Sequence, residues 1–307
     1  MIKQYIYHFL KGMGMGAANV IPGVSGGTIA LITNIFERLI NAIKSFDLTA
    51  LQLIIKGKVK DFIKHTDLYF LITVFSGAII SVFSLAKLLG YLFENYPVYI
   101  WSYFFGLILA SVYFVGRTIE KLNISVIVVF IIGTSVAIII SLLSPASENN
   151  SFIYLILCGI VGVCSMILPG LSGSFVLILM GNYELVMIDA VSSFNFKILA
   201  PVGIGVIVGL IAFSYLLSWV YKKYKNETIS ILCGFILGSL MILWPWKNPV
   251  YRTDVTGDFI LKNGEKIIQG YDRFIPMLNT EVALAITYMI IGVITIWLIE
   301  KLAEKNS

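Results

Sequence analysis

The sequence predicts an all-α polytopic membrane protein made of two inverted-topology repeats, each an interrupted re-entrant helical hairpin followed by three transmembrane helices. Three observations lead to this prediction: the composition, the positions of six long apolar segments, and a motif that occurs twice. Of the 307 residues, 58% are hydrophobic and only 13% are charged, whereas soluble domains carry about 25% charged residues. This composition excludes a disordered chain and a nucleic-acid-binding domain, and it places the protein in a bilayer.

Six apolar segments approach the roughly 20 residues that a helix needs to cross the hydrocarbon core. Two further apolar stretches, residues 5–36 and 152–187, are each interrupted by a Pro-Gly pair and several glycines, which predicts hairpins of two half-helices. The six spans are predicted at residues 68–93, 99–115, 124–143, 199–221, 229–246 and 282–299.

The distribution of lysine and arginine predicts the orientation of the chain, because cytoplasmic loops carry the excess of positive charge. Segment 38–64 is the most basic part of the sequence and is expected in the cytoplasm. Counting spans from there places most basic residues and both termini on the cytoplasmic side, provided that each hairpin returns to the side where it starts. Within this segment, residues 43–63 are predicted to lie on the membrane surface as an amphipathic element, because their lysines forbid burial.

The strongest signal is a motif that occurs in both hairpins. Residues 21–40, IPGVSGGTIALITNIFERLI, align without a gap with residues 168–187, LPGLSGSFVLILMGNYELVM. Each copy is followed by three spans, an odd number, so the second half is expected upside down relative to the first. We therefore predict repeats at residues 1–143 and 151–302 within one integrated membrane domain. The identical pairs are Pro22 with Pro169, Gly23 with Gly170, Ser25 with Ser172, Gly26 with Gly173, and Glu37 with Glu184.

The motif has the composition of an anion site. Proline and glycine break the helix, and the half-helix that restarts after the break would present free N–H groups and the positive end of its dipole. Serine and threonine hydroxyls add further donors. The alternative is that the glycines only permit tight helix packing. The candidate binding residues are Pro22, Gly23, Ser25, Gly26, Gly27 and Thr28 in the first copy, and Pro169, Gly170, Ser172, Gly173 and Ser174 in the second.

The segment MGAANVIPGVSGGTIALITNIFERLI at residues 15–40 resembles the signature of the bacterial PopT family, whose polytopic members translocate undecaprenyl phosphate. The resemblance covers essentially the whole chain. It implies that the protein returns this polyprenyl phosphate from the outer to the cytoplasmic leaflet of the bacterial cytoplasmic membrane, for reuse in cell-wall and surface-polymer synthesis. Asn19 stands where the resemblance implies an aspartate.

Several charged residues are candidates beyond the motif itself. Arg38 and Arg117, near the cytoplasmic ends of their segments, are expected to contact the phosphate headgroup. Glu37 and Glu184 either carry protons in a coupled cycle or lie in water at the ends of the hairpins. Lys87 is interpreted as reaching from its span towards the outer face.

Other functions are less compatible with the residues. Residues 23–27 match a serine-hydrolase pattern, but the nearby candidate base is only His8, and the second copy has Leu155 in its place. We predict no enzyme, no cofactor and no metal site, because the three cysteines lie in apolar runs without ligand spacing. A transporter or channel for a small inorganic anion is the alternative, and its pathway should be closed to lipid, whereas a lipid carrier needs a cavity open to the hydrocarbon.

Overall fold

The computed structural model describes residues 2–20, 25–143, 145–191, 193–251 and 268–304, together with residues 253, 259, 261–262 and 265–266. This part of the chain is mostly helical. Six of its helices are long and apolar enough to cross a membrane, which confirms the prediction of a polytopic helical protein.

The elements are numbered in chain order. The helices are α1 (Ile2–Val20), α2 (Gly26–Ile32), α3 (Phe36–Lys44), α4 (Leu48–Ile55), α5 (Val59–His65), α6 (Leu68–Asn95), α7 (Pro97–Gly116), α8 (Ile124–Leu142), α9 (Phe152–Ile167), α10 (Gly173–Leu179), a π-helix (Glu184–Ala190), α11 (Phe196–Lys223), α12 (Lys225–Leu243) and α13 (Thr280–Glu304). The strands are β1 (Lys247–Tyr251), β2 (Leu261–Lys262), β3 (Glu265–Lys266) and β4 (Ile268–Arg273).

The connection between α12 and α13 corrects the all-α prediction. It contains two small antiparallel sheets, β1 with β4 and β2 with β3. Helix α12 also ends at Leu243, three residues before the predicted end at residue 246. Pro245 explains this early end, because a residue that precedes proline is disfavoured in the helical conformation.

The predicted surface segment at residues 43–63 is not one continuous element. It comprises the end of α3 and two short helices, α4 and most of α5. Asp47 begins α4 by accepting a hydrogen bond from the backbone N–H of Ala50 at 2.9 Å, and this bond holds the pKa of the Asp47 carboxyl below its usual range. Leu48 and Ile55 on α4 are exposed, as an amphipathic segment requires.

Four long helix pairs form the frame of the protein. Helix α1 lies against α6, and α9 lies against α11. The other two pairs cross between the halves of the sequence, because α7 packs against α13 and α8 packs against α12. The last long helix of each half therefore packs against the middle long helix of the other half.

Glycines allow the helices of these pairs to approach very closely. A Cβ atom added to Gly12 on α1 would lie 2.1 Å from the carbonyl oxygen of Val74 on α6, and one added to Gly77 would lie 2.2 Å from the carbonyl of Phe9. This close approach of two helix backbones gives tight packing and weak Cα–H···O contacts. The corresponding positions of α9 and α11 repeat this pattern: Gly159 meets the Val202 carbonyl and Gly205 meets the Ile156 carbonyl.

The two pairs that join the halves, α7 with α13 and α8 with α12, also meet at glycines. A Cβ added to Gly106 on α7 would lie 1.9 Å from the carbonyl oxygen of Met289 on α13, and one added to Gly292 would lie 2.1 Å from that of Tyr103. In the pair α8 and α12, Gly234 meets the Phe130 carbonyl and Gly133 meets the Ile231 carbonyl. Four corresponding crossings therefore fix the frame.

Two glycines on α11 provide a matched test of these crossings. Gly205→Ala should lower the free energy of unfolding by about 1–3 kcal/mol, because the new methyl group overlaps a backbone carbonyl that cannot move aside easily. Gly203→Ala should be neutral or stabilising by up to about 1 kcal/mol, since no atom of the described residues lies within 4 Å of the added Cβ. Thermal unfolding of both variants in detergent measures the difference, and equal melting temperatures would contradict the tight crossing.

Candidate functional site

The first copy of the motif contacts the second through the hydroxyl of Ser25. This residue precedes α2 in an extended conformation and accepts a hydrogen bond from the backbone N–H of Gly27 at 3.1 Å. The same hydroxyl donates to the backbone carbonyl of Met166, near the end of α9, at 2.9 Å. Ser25 therefore links the start of α2 to the end of α9, from the other half of the sequence.

Thr28 makes the second link between the copies. Its hydroxyl oxygen accepts a hydrogen bond from the backbone N–H of Gly170 at 3.0 Å. Close by, a Cβ added to Gly27 would lie 2.4 Å from the carbonyl of Ile167, so the two backbones touch. The side chains of Ser25 and Thr28 are almost completely buried, at 1% and 0% exposure. The two copies thus meet inside the protein, through polar groups.

The expectation of free N–H groups at the start of α2 is wrong for this arrangement. The N–H of Gly26 donates to the side-chain oxygen of Asn19 at 2.7 Å, and the N–H of Thr28 donates to the carbonyl of Ser25 at 3.0 Å. Capping of this kind is the usual way in which a helix start satisfies its first amides. An anion could reach these amides only after the capping groups move.

Within the described residues, the second copy lacks the side-chain caps of the first. Gly170 has a positive φ of 82°, a conformation that glycine adopts without steric cost, and this turn directs the chain into α10. Ser172 and Ser174 share a hydrogen bond of 2.7 Å between their hydroxyls. Among the described residues, no side chain caps the start of α10, and Met166 occupies the place that corresponds to Asn19.

The remaining motif residues divide into two groups. Pro169 and Gly173 are buried with the segment, and a Cβ added to Gly173 would lie 2.4 Å from the Met166 side chain. The predictions for Pro22 and Gly23 lie outside the described residues.

Arg38 lies in a cavity of about 550 Å³ between α1, α3, α5 and α6. Its guanidinium makes a bidentate ion pair with Asp67, at 2.6 and 3.1 Å. It also lies 3.3 Å from Nε2 of His8 and 4.3 Å from the ring centre of Phe70. Lys60 and Lys64 of α5 complete the basic lining. The cavity therefore gathers several cationic groups around one carboxylate.

Glu37 lines a neighbouring cavity of about 470 Å³, which shares Arg38 and Asp67 with the first. The Glu37 side chain is exposed, and Glu184 is partly buried at the start of the π-helix. Glu37 follows α2 and Glu184 follows α10, and these positions are compatible with both sequence interpretations.

The structure does not bring every candidate into these cavities. Arg117 caps the end of α7 and is exposed, with its guanidinium 5.9 Å from the ring centre of Tyr113. The Lys87 side chain is outside what the structure describes. His8 contacts Arg38, and the Ser25 hydroxyl donates to a carbonyl, so these two residues do not form a nucleophile and its base.

Sequence reasoning missed two residues that organise the site. Asn19 departs from the pattern that the family resemblance implies, and its position seven residues before Gly26 gives no local capping signal. Asp67 stands directly before a predicted span, where an acidic residue usually serves as a helix cap. In the structure it has a positive φ of 48° and binds Arg38 instead of capping α6.

The sequence is similar to known transporters. Residues 15–259 match the family described as undecaprenyl phosphate translocase-like. A protein of Vibrio cholerae serotype O1 named polyprenyl-phosphate transporter is 37% identical over 303 residues, which cover 98% of each chain. A Staphylococcus aureus protein of the same name is 31% identical over 255 residues, which cover 78% of this chain and 86% of that one. No solved structure matches the chain.

The link between the motif copies can be tested by stability. Thr28→Val keeps the shape of the side chain but removes the acceptor for the Gly170 N–H, so it should lower the free energy of unfolding by about 1–3 kcal/mol, the cost of a buried unsatisfied donor. Ser102→Ala is the control, because the buried Ser102 hydroxyl has no hydrogen-bond partner in the described chain. Chemical unfolding in detergent compares them, and a Thr28→Val protein as stable as the control would contradict the link.

Proposed function

We propose that this protein, which belongs to the undecaprenyl phosphate translocase-like family, carries a polyprenyl phosphate across the membrane, from the outer to the cytoplasmic leaflet. The expected natural substrate is undecaprenyl phosphate, returned for reuse in cell-wall and surface-polymer synthesis. The structural observation that carries the proposal is the buried polar contact between the two motif copies. The family consists of transporters, in agreement with the prediction that the protein is not an enzyme.

We infer that the two halves form inverted repeats with re-entrant hairpins. Support comes from the four helix crossings at corresponding glycines. It also comes from the packing of the last long helix of each half, α8 or α13, against the other half. Support also comes from the hairpin ends. Arg38, after the first hairpin, contacts His8 near the start of α1, and Asn182, after α10, exchanges hydrogen bonds with Asn149 just before α9.

The headgroup site is proposed at the contact between the motif copies. In the present arrangement the Ser25 hydroxyl donates to the Met166 carbonyl, and the Gly170 amide donates to the Thr28 hydroxyl. When the halves separate, the same groups lose these partners and become available to phosphate oxygens. A phosphate that takes their place would complete the hydrogen bonds that the opened backbone needs in a membrane.

Arg38 is proposed to receive the headgroup at the cytoplasmic face. A guanidinium binds phosphate bidentately, as it binds Asp67 here, so the arriving phosphate competes with this carboxylate. Lys60 and Lys64 add positive charge to the same cavity. Tyr5 and Tyr69 line the cavity and are exposed, which gives it an apolar side suited to a lipid. This lining favours a lipid substrate over a small inorganic anion.

We also propose an orientation for the protein in the membrane and a residue that couples transport to protons. The basic cavity around Arg38 supports a cytoplasmic location for this face, and therefore for both termini. Glu37 is proposed as the coupling carboxylate, because it shares a cavity with Arg38 and Asp67. Arg117 is exposed at this face and is proposed as a further contact for the departing headgroup.

The hydroxyls of the motif are tested in liposomes that contain a short-chain polyprenyl phosphate and a headgroup probe restricted to one leaflet. The double variant Ser25→Ala, Ser172→Ala should exchange lipid at least about tenfold more slowly, because each lost bond to a charged group costs about 1.5–3 kcal/mol. The matched control is Ser111→Ala, Ser239→Ala, which removes two buried hydroxyls that, within the described residues, bond to carbonyls of their own helices. Equal rates in both double variants would remove the motif hydroxyls from the mechanism.

The role of Arg38 is tested with the same assay. Arg38→Gln should reduce lipid exchange about tenfold or more through the loss of a bidentate phosphate contact, whereas Lys121→Gln removes one exposed charge from the same face and should leave the rate unchanged. Uptake of phosphate or chloride ions by the wild-type protein, without movement of the lipid, would contradict the lipid function and support the ion pathway.

A further inference from the structure

The sheet between α12 and α13 places two cations side by side. Strands β1 and β4 are antiparallel, and their register sets Lys247 directly opposite Arg273. Directly opposed residues direct their side chains to the same face of a sheet. The pair lies at the C-terminal end of α12. The pair lies on the face of the membrane opposite to Arg38. Arg38 contacts Asp67 at the start of α6, and α7 begins where α6 ends, on the other face. Lys247 contacts Trp101 near this start of α7.

The two cations are held by the end of α12. The ammonium group of Lys247 donates to the carbonyl of Ile242, and Nε of Arg273 donates to the carbonyl of Met241 at 2.8 Å. The last carbonyls of a helix carry partial negative charge and stabilise cations nearby. Lys247 also lies 3.7 Å above the ring centre of Trp101 on α7. These contacts hold the two side chains in place without a carboxylate partner in the described chain.

Most N–H donors of Lys247 and Arg273 are unused within the described residues. An ammonium group has three N–H donors and a guanidinium has five, yet the described residues accept one hydrogen bond from each side chain. None of the ion pairs in the described chain involves either residue. Asp272 is next to Arg273, but alternation along the strand turns it to the other face.

Burial also disfavours the positive charge of Lys247. It lowers the pKa of Lys247 to about 7, and the charge of Arg273 contributes to the same shift. Both causes disfavour the charged ammonium group, and an anion between the two side chains would oppose both. The local electrostatics therefore favour a negatively charged ligand.

The segment after Arg273 indicates where this ligand comes from. Ile275, Met277 and Leu278 are almost fully exposed, at 89%, 90% and 91%. Large apolar side chains with such exposure beside a membrane-spanning bundle are expected to insert into the adjacent leaflet. Arg273 would then lie at the level of the lipid headgroups, where aromatic residues such as Trp101 are also enriched.

We propose that Lys247 and Arg273 form a second phosphate-binding site, which captures the phosphate monoester of a polyprenyl lipid at the outer leaflet before the headgroup reaches the motif. This inference rests on the proposed function and adds its outer binding step. The phosphate oxygens would accept hydrogen bonds from the unused donors of both side chains, while the carbonyls of α12 keep the pair in place.

Binding to the full-length protein in phosphatidylcholine nanodiscs tests this site. The ligands are a short-chain polyprenyl phosphate, the matching polyprenol, and inorganic phosphate as a competitor. Lys247→Gln and Arg273→Gln should each weaken binding of the polyprenyl phosphate about tenfold, as expected for the loss of a bond between charged groups. Lys197→Gln is the control, since Lys197 is exposed at the start of α11 on the same face. Arg273→Lys keeps a charged donor and should restore part of the binding, even if the neutral variants lose stability.

The outcomes separate the two proposals. If wild-type protein binds polyprenyl phosphate no better than polyprenol, the proposed function itself fails. If wild-type binding is phosphate-dependent but Lys247→Gln and Arg273→Gln behave as Lys197→Gln does, only the second site is overturned. Competition by millimolar inorganic phosphate that disappears in the two variants supports the site with free phosphate as a ligand. Loss of lipid binding in the variants without such competition supports the lipid headgroup.

Discussion

A backbone that breaks inside a membrane needs hydrogen-bond partners within the protein, because hydrocarbon offers none. In this protein polar groups at the start of α2 bond to backbone groups at the end of α9 and just after it. The Ser25 hydroxyl reaches the Met166 carbonyl, and the Gly170 amide reaches the Thr28 hydroxyl. Neither segment could be buried alone in the same conformation without leaving these polar groups unpaired. The rest of the bundle serves to hold these two segments against each other.

The glycine crossings supply that support. Where Gly12 faces the Val74 carbonyl and Gly106 faces the Met289 carbonyl, a single methyl group would overlap the neighbouring backbone. Helices packed this closely behave as rigid pairs, since little space remains for sliding. Helix α1, which precedes α2, packs against α6, and α9, which precedes α10, packs against α11, while the pairs α7 with α13 and α8 with α12 connect the halves of the sequence. Movement of the pair α1 with α6 relative to the pair α9 with α11 would open the contact between the motif copies.

Charge is balanced differently at the two faces. Arg38 has a carboxylate partner in Asp67, whereas Lys247 and Arg273 depend on helix carbonyls. A phosphate that binds the outer pair displaces no carboxylate, but at Arg38 it competes with one. In the proposed cycle this asymmetry favours capture at the outer face and release at the cytoplasmic face, which is the direction of lipid recycling.

The sequence by itself determined the membrane environment, the six spans and the gapless duplication of the motif, because apolar length and the placement of Pro, Gly and Ser are local properties of the chain. It also carried the family resemblance. The short strands were missed because Lys247 and Arg273 lie far apart in sequence and pair only across the sheet. The tertiary structure alone decided three features: the packing of α8 and α13 against the opposite half, the capping of Gly26 by Asn19, and the pairing of Arg38 with Asp67. Each depends on which distant segments meet, and a polar side chain in a membrane bonds to whichever partner the packing of the helices brings within reach.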